Sequence, residues 1–188
     1  MDITRLLKAA NDGHEDAMEQ LAPLVYDELL LLSHRQMQQE YAPRTLSTTG
    51  LVHEVYLKLL DGEELPAENR RHFFAAAARA MRQIMVSEAR RRGAEKRGGN
   101  AVHLTLDASS VSIAELRTEI LALDQALDRL ENVDSRLAQI VECRFFGGLT
   151  VDETSIAVSA SARTVKRDWR LARAWLFREL NGAASEPA

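Results

Sequence analysis

The stretch Gly148–Leu180, GLTVDETSIAVSASARTVKRDWRLARAWLFREL, decides the fold reading. Thr150 is a favoured N-cap, and Glu153 three residues later completes a capping box, in which side chains satisfy N–H groups that the first helical turn leaves open. A short helix from Val151 to about Val158 follows. Ser159-Ala160-Ser161 breaks it, and Ser161 caps a second, longer helix. There Val165, Trp169, Ala172 and Leu176 recur at the spacing of a buried stripe. The opposite side carries Arg163, Thr164, Lys166, Arg167 and Arg170. Six basic residues against two acidic ones lie between Ala162 and Leu180, which makes this side a cationic face. A short helix, a turn and a basic helix predict a helix-turn-helix, whose second helix enters the DNA major groove. A merely solvated face would explain the charge alone; the capping box and the three-residue break, in the expected order, favour DNA. The turn of such a motif often holds glycine. Ser159 stands there instead, and serine enters a left-handed conformation less easily.

The 188 residues suffice for one large domain or two small ones. Net charge is −4, so DNA contact must come from local basic patches on a mildly acidic protein. Cys143 is the only cysteine, which excludes an internal disulfide and a cysteine-rich zinc site and fits a reducing cytoplasm. No apolar run approaches the roughly 20 residues of a membrane span. Asp2, Arg5 and Lys8 interrupt any signal-peptide pattern, so the expected location is cytoplasmic, with no membrane partner.

Ahead of the motif the pattern is helical. Asp2 is positioned to cap a helix over Ile3–Ala10, which Asn11-Asp12-Gly13 ends. A second stretch runs from about Glu15 to Gln39, with Leu21, Leu24, Val25, Leu29 and Leu32 as its apolar side. Pro23 predicts a kink or a late start there. Ser47–Gly50 reads as a loop before the helix Leu51–Leu60, whose Leu51, Val52, Val55, Tyr56, Leu59 and Leu60 exceed one narrow stripe. Most of that surface suits the middle of a bundle, and part of it suits a docked partner. After the loop Asp61–Glu68 comes the longest helix, Asn69 to about Gly93 or beyond. Its first half, FFAAAARAM, is small enough for close helix approach. Its second half is basic: nine Arg or Lys between Arg70 and Arg97 against Glu88 and Glu95. Such a run reads equally as a solvated helix end favoured by the dipole or as a phosphate-binding surface. VHLTLD alternates like a strand but has nothing to pair with, so 98–112 reads as a linker. Helices over Ile113–Leu130 and Ser135–Phe146 then lead to the motif, and Asn181–Ala188 reads as a frayed tail.

Nothing in the sequence argues for an enzyme. His14, His34, His53, His72 and His103 do not pair at metal-ligand spacing. His53-Glu54 begins like a zinc-protease helix, but the second histidine position is Leu57. No phosphate loop and no nucleophile elbow occur. No catalytic residue, metal or cofactor is expected.

Three segments in order, TTGLVHEVYLKLL, HFFAAAARAMRQIMVSEARRRGAEKRGG and GLTVDETSIAVSASARTVKRDWRLARAWL, resemble a bacterial RNA polymerase sigma factor of the extracytoplasmic-function (ECF) type over nearly the whole chain. The resemblance implies an all-α protein of two small helical domains. Residues 1–97 would bind core polymerase and the −10 element, 98–112 would form the linker, and 113–188 would be a helix-turn-helix domain for the −35 element. It implies that Leu51, Val52, His53, Glu54 and Tyr56 meet the β′ clamp helices. It implies a flipped −10 base beside the loop Asp61–Glu68, with Arg82, Arg90, Arg91, Arg92, Lys96 and Arg97 holding phosphates. Arg163, Thr164, Lys166, Arg167 and Arg170 would face the −35 element, and Trp175 and Phe177 would pack in the domain or face the β flap. The linker would thread toward the active-site and RNA-exit region, and an anti-sigma factor is a further expected kind of partner. Free protein is expected to bind duplex promoter DNA poorly until core polymerase unlocks it.

Two other readings compete. A stand-alone helix-turn-helix regulator with an N-terminal sensor or dimerisation domain would demand a palindromic site and leave the long basic helix unexplained. A sigma-sequestering interaction protein would need an apolar groove and no arginines on its last helix.

Overall fold

The computed structural model describes residues 3–38, 47–60, 69–98 and 113–182, and among them the protein is all-α. The helices are α1 (Ile3–Asn11), α2 (Glu15–Met37), α3 (Thr48–Leu60), α4 (Arg70–Gly98), α5 (Ile113–Val133), α6 (Ser135–Val141), α7 (Val151–Ala157) and α8 (Ala162–Gly182). The expected cap at Asp2, the loop Asp61–Glu68 and the VHLTLD segment lie outside the described residues.

Local chemistry sets the boundaries. Gly13 takes φ +84°, and the Gly13 and His14 N–H groups bond back to the Ala10 and Ala9 carbonyls, which closes the end of α1. Helix α2 starts at Glu15 and runs through Pro23, rather than starting late at it. Buried Leu21, Val25, Leu29 and Leu32 hold it in place on both sides of the proline. Helix α3 starts three residues before the expected Leu51, because the Ser47 hydroxyl accepts the Gly50 N–H at 3.0 Å and acts as its cap. Asn69 does the same for α4, accepting the His72 N–H at 3.1 Å. That helix continues beyond Gly93 to Gly98. Arg91 and Arg92 both pair with Glu88, one turn back, at 2.8 and 2.7 Å. Asp134 caps α6 through the Arg136 and Leu137 N–H groups.

One departure is more than a boundary. The expected single helix Ser135–Phe146 is α-helical only to Val141. Glu142–Phe146 then winds as a π-helical turn, closed by the Gly147 N–H on the Glu142 carbonyl at 2.9 Å. The wider turn brings Glu142, Cys143 and Phe146 all to the inside.

The core is organised along α4. Its first half, with Phe73, Phe74, Ala77, Ala78 and Met81, packs with Leu7, Leu21, Leu29, Leu32, Leu51 and Val55 from α1–α3. Its second half, with Met85, Val86 and Ala89, packs with Ile120, Leu127, Leu130 and Val141 from α5 and α6 and with Ala172 and Leu176 from α8. Each fully buried leucine or phenylalanine here contributes about 1.5–3 kcal/mol. Truncating Phe74, which is fully buried, would cost about 3–5 kcal/mol. Cys143, Leu149 and Ala157, late in the chain, belong to the first of these clusters, so the parts before and after residues 99–112 share a core. The alanines of α4 permit this: a Cβ on Gly147 would lie 2.8 Å from the Ala78 Cβ.

Candidate nucleic-acid interface

Helices α7 and α8 form as the motif predicts. The Thr150 hydroxyl accepts the Glu153 N–H at 3.2 Å, and the Glu153 carboxylate accepts the Thr150 N–H at 2.7 Å. Ser159 takes the left-handed conformation, φ +50°, that a glycine would adopt more cheaply. Ser161 caps α8 by accepting the Thr164 N–H at 3.1 Å. Val165, Ala172 and Leu176 are buried and Trp169 is half-buried, so the expected stripe anchors the helix. Arg163, Lys166, Arg167 and Arg170 are exposed together on the outside. Thr164 is half-buried, its hydroxyl 2.9 Å from that of Ser161.

Two charged residues of this region escape sequence reading. Asp168 interrupts the cationic helix, yet its side chain is 1% exposed. Its carboxylate is held between Arg136 at 3.0 Å and Arg167 at 2.9 Å. Arg144 comes from the π turn. Its guanidinium lies over the Trp169 ring at 5.5 Å, with that of Arg173 at 6.0 Å. Arg144, Val151, Val165, Lys166, Trp169 and Arg170 line one small cleft. Burial lowers the Arg144 pKa, and its Nε is buried without a hydrogen-bond partner among the described residues. The only hint in sequence is a cation inside the otherwise apolar or small run CRFFGG.

The arginines of α4 are placed differently from those of α8. Arg82 is inside the molecule, its side chain 13% exposed. It donates to the Asp124 carboxylate at 2.9 Å, to Asp128 at 2.6 Å and to Glu142 at 3.4 Å. Burial disfavours the Arg82 charge, but these hydrogen bonds and carboxylate charges outweigh it, and the pKa is raised. For Glu142 burial wins instead: it raises the pKa, and Arg82 and Arg79 offset this only in part. Arg90 pairs with the second oxygen of Asp124 at 3.1 Å. Arg91 and Arg92 pair with Glu88, as above. Lys96 and Arg97 stand in the last turn of α4, and their side chains lie outside the described residues.

On α3, Leu51 and Val52 are wholly buried and offer no surface to a partner. His53 and Glu54 are exposed, and Tyr56 is half-buried. Tyr26 of α2 packs against both rings, at 6.1 Å from His53 and 6.0 Å from Tyr56. Leu30 and Leu57, one turn on from Tyr26 and His53, are also exposed, so a mixed aromatic and aliphatic patch spans α2 and α3. Among the described residues no group of His, Cys, Asp and Glu is arranged to hold a metal ion, and no helix is long and apolar enough to cross a membrane.

A cationic helix held by a buried stripe, on an all-helical core with a second arginine-rich helix, has the charge pattern of a nucleic-acid-binding class of protein. The family model for ECF sigma factors matches residues 1–182, and the chain belongs to that family. It is accordingly a sigma factor with a role in transcription initiation, a family of DNA- and RNA polymerase-binding proteins rather than of enzymes. Searches of the curated proteins and of the solved structures found no match.

Proposed function

We propose that the chain docks on core RNA polymerase through the α2–α3 patch and directs it to a two-part promoter that it helps to melt. The observation that carries the reading is the outer face of α8: Arg163, Lys166, Arg167 and Arg170 are all exposed on a helix whose other side is locked into the core. That face would enter the major groove of the −35 element. An arginine or lysine bidentate to guanine there discriminates by about 1–3 kcal/mol. Arg144, beside Lys166 and Arg170, adds a cation suited to a flanking phosphate. Arg82, Arg90, Arg91, Arg92, Lys96 and Arg97 would hold the −10 strand.

Two domains, 1–97 and 113–188, joined by the linker 98–112, then act at high effective concentration once polymerase holds them. His53, Glu54, Tyr56 and Leu57 are the docking contacts toward the β′ clamp helices, with Leu51 and Val52 fixing the helix from within. Trp175 and Phe177 are the candidates for the β flap, and an anti-sigma factor would compete for these same surfaces.

Charge reversal tests the division of labour. Arg167→Glu with Arg170→Glu should abolish promoter-directed transcription while the chain still co-elutes with core polymerase. Glu54→Arg with Leu57→Asp should abolish co-elution. Loss of co-elution in the first variant, or its retention in the second, contradicts the assignment.

A further inference from the structure

Asp168 is an acid in the middle of the cationic helix, and it faces inward. It stands three residues after Val165 and four before Ala172, both fully buried, so it shares the core side of α8. Its side chain is 1% exposed. Its Oδ1 accepts the Arg167 Nε–H at 2.9 Å. Arg136, from the start of α6, stands 3.0 Å from Oδ2 but off the hydrogen-bond line, so it supplies charge rather than an aligned donor. Arg167 itself is 62% exposed, on the outer face. A buried carboxylate is costly unless paired, and a paired one is often no more stabilising than an apolar side chain of the same size. Stability alone does not explain a charge at this place. We infer that Asp168 is a positioning residue for promoter recognition: it holds Arg167 by its Nε, so that the two terminal nitrogens present a fixed pair of donors to one guanine of the −35 element. The inference rests on the reading of α8 as the −35 helix.

The anchoring narrows the base. An arginine side chain has many rotamers, and fixing it on DNA costs conformational entropy. A guanidinium already tied at Nε has lost much of that freedom in the free chain, so less is lost on binding. With Nε engaged, the edge left for an outside partner is the terminal one, which carries two parallel N–H donors. Guanine offers two acceptors side by side in the major groove, O6 and N7. Adenine puts a donor at N6, cytosine a donor at N4, and thymine a methyl beside its one acceptor. The anchored edge fits guanine and is mismatched to the others. Neighbouring cations are held differently. Arg170 donates its Nε to the Lys166 carbonyl at 3.3 Å, a contact within its own helix. Lys166 lies in the cleft beside Arg144 and Trp169, and its single ammonium suits a phosphate rather than an acceptor pair.

The test reads base preference. Holoenzyme assembled from core polymerase and the full-length chain selects from a duplex DNA pool randomised over a promoter-length window, and the bound DNA is sequenced. Wild type should prefer guanine at a −35 position where Arg167→Ala relaxes the choice. Asp168→Ala should lower that preference roughly tenfold, within the range of one bidentate pair, and leave the preferences at other positions as they are. Adding Asp168→Ala to Arg167→Ala should lower it no further, because the two act as one unit. Arg136→Ala disturbs the same carboxylate from its other side and should lose far less. Each preference is a ratio within one sample, so an unfolded fraction cancels from it. Asp168→Asn, which fills the same space without the charge, serves where the alanine variant does not fold, and should lose preference at the same position. Retained guanine preference in the Asp168 variants, a loss spread evenly over the −35 element, or an equal loss in Arg136→Ala overturns the positioning role and leaves the α8 reading standing. No change at any −35 position in Arg167→Ala overturns that reading at Arg167, and the inference with it.

Discussion

Arg35 of α2 and Glu153 of α7 are joined at 2.8 Å across 118 positions of sequence. The same carboxylate caps α7, so one side chain starts the DNA-facing motif and ties it to the N-terminal core. Gly147 and Gly148 let the two come so close. A Cβ on Gly148, at φ +62°, would lie 2.9 Å from the Leu32 carbonyl oxygen.

Glu153→Ala therefore removes a cap and an ion pair together. The cap alone is worth about 0.5–2 kcal/mol, and the loss in urea unfolding should lie at or above the top of that range. Burial pushes the Glu153 pKa up, but the Thr150 N–H, the Arg35 guanidinium and the Thr150 hydroxyl more than reverse this, and it sits below its ordinary value. A lowered carboxylate contributes stability that is present above about pH 4.5, its ordinary value, and is lost as pH falls through the folded-state pKa. Glu153→Gln should flatten that acid limb of the stability curve.

Gly148→Ala should destabilise by more than the about 1–2 kcal/mol of a left-handed alanine, because the added methyl also meets backbone of α2. Ser159→Gly should act in the opposite sense. It relieves a non-glycine φ of +50° and should raise stability by about 0.5–1 kcal/mol, after subtracting the extra conformational entropy that glycine loses on folding. Thermal unfolding of the two variants checks both signs.

Cys143 is fully buried, and burial, with the Glu142 charge adding to it, pushes its thiol up to about 12. Thiol reagents should label the native chain only at the rate of its opening, and urea should accelerate labelling to that of a free cysteine. The sign for stability is that of a raised acid. The contribution is intact below the ordinary value of 9.0 and is lost as pH rises through about 12, so Cys143→Ala should be less sensitive to alkaline unfolding.

Arg144→Ala should weaken binding of core-bound protein to a −35 duplex by about 1–2 kcal/mol, with little loss of stability, since the lost Nη1 hydrogen bond to the Leu149 carbonyl, long at 3.4 Å, is offset by removal of a buried Nε that has no acceptor. Lys166→Ala, in the same cleft, should show a reduced salt slope of about one unit if it holds a phosphate. Filter binding across a salt series measures both.

Much of this fold is written locally. Thr150 with Glu153, Ser161 with Thr164, and the Val165–Leu176 stripe are decided by residues three to seven apart, and each forms as its pattern requires. Two ion-paired side chains depend on distance. Arg82 reads as one phosphate-holding cation of a basic run until Asp124, 42 positions away, is brought against it. Asp168 reads as a surface acid until Arg136 reaches it from the start of α6. The π turn was illegible for another reason. Leu137, Ile140, Val141 and Phe145 satisfy a helical period, and the extra residue at Glu142–Phe146 follows from what Cys143 and Phe146 must bury against, not from propensity. Leu51 and Val52 carry the same lesson, since an apolar residue on a docking helix serves the core as readily as a partner.

The central claim, that this chain carries core polymerase to a two-part promoter, is tested most directly by reconstituted transcription. Purified chain is added to core RNA polymerase lacking other sigma factors, with a library of promoter fragments, and the transcript starts are mapped. The account predicts starts at one shared motif with −10 and −35 parts, lost with Arg167→Glu/Arg170→Glu. No transcripts, together with no co-elution with core polymerase, would contradict it and leave a stand-alone regulator as the better description.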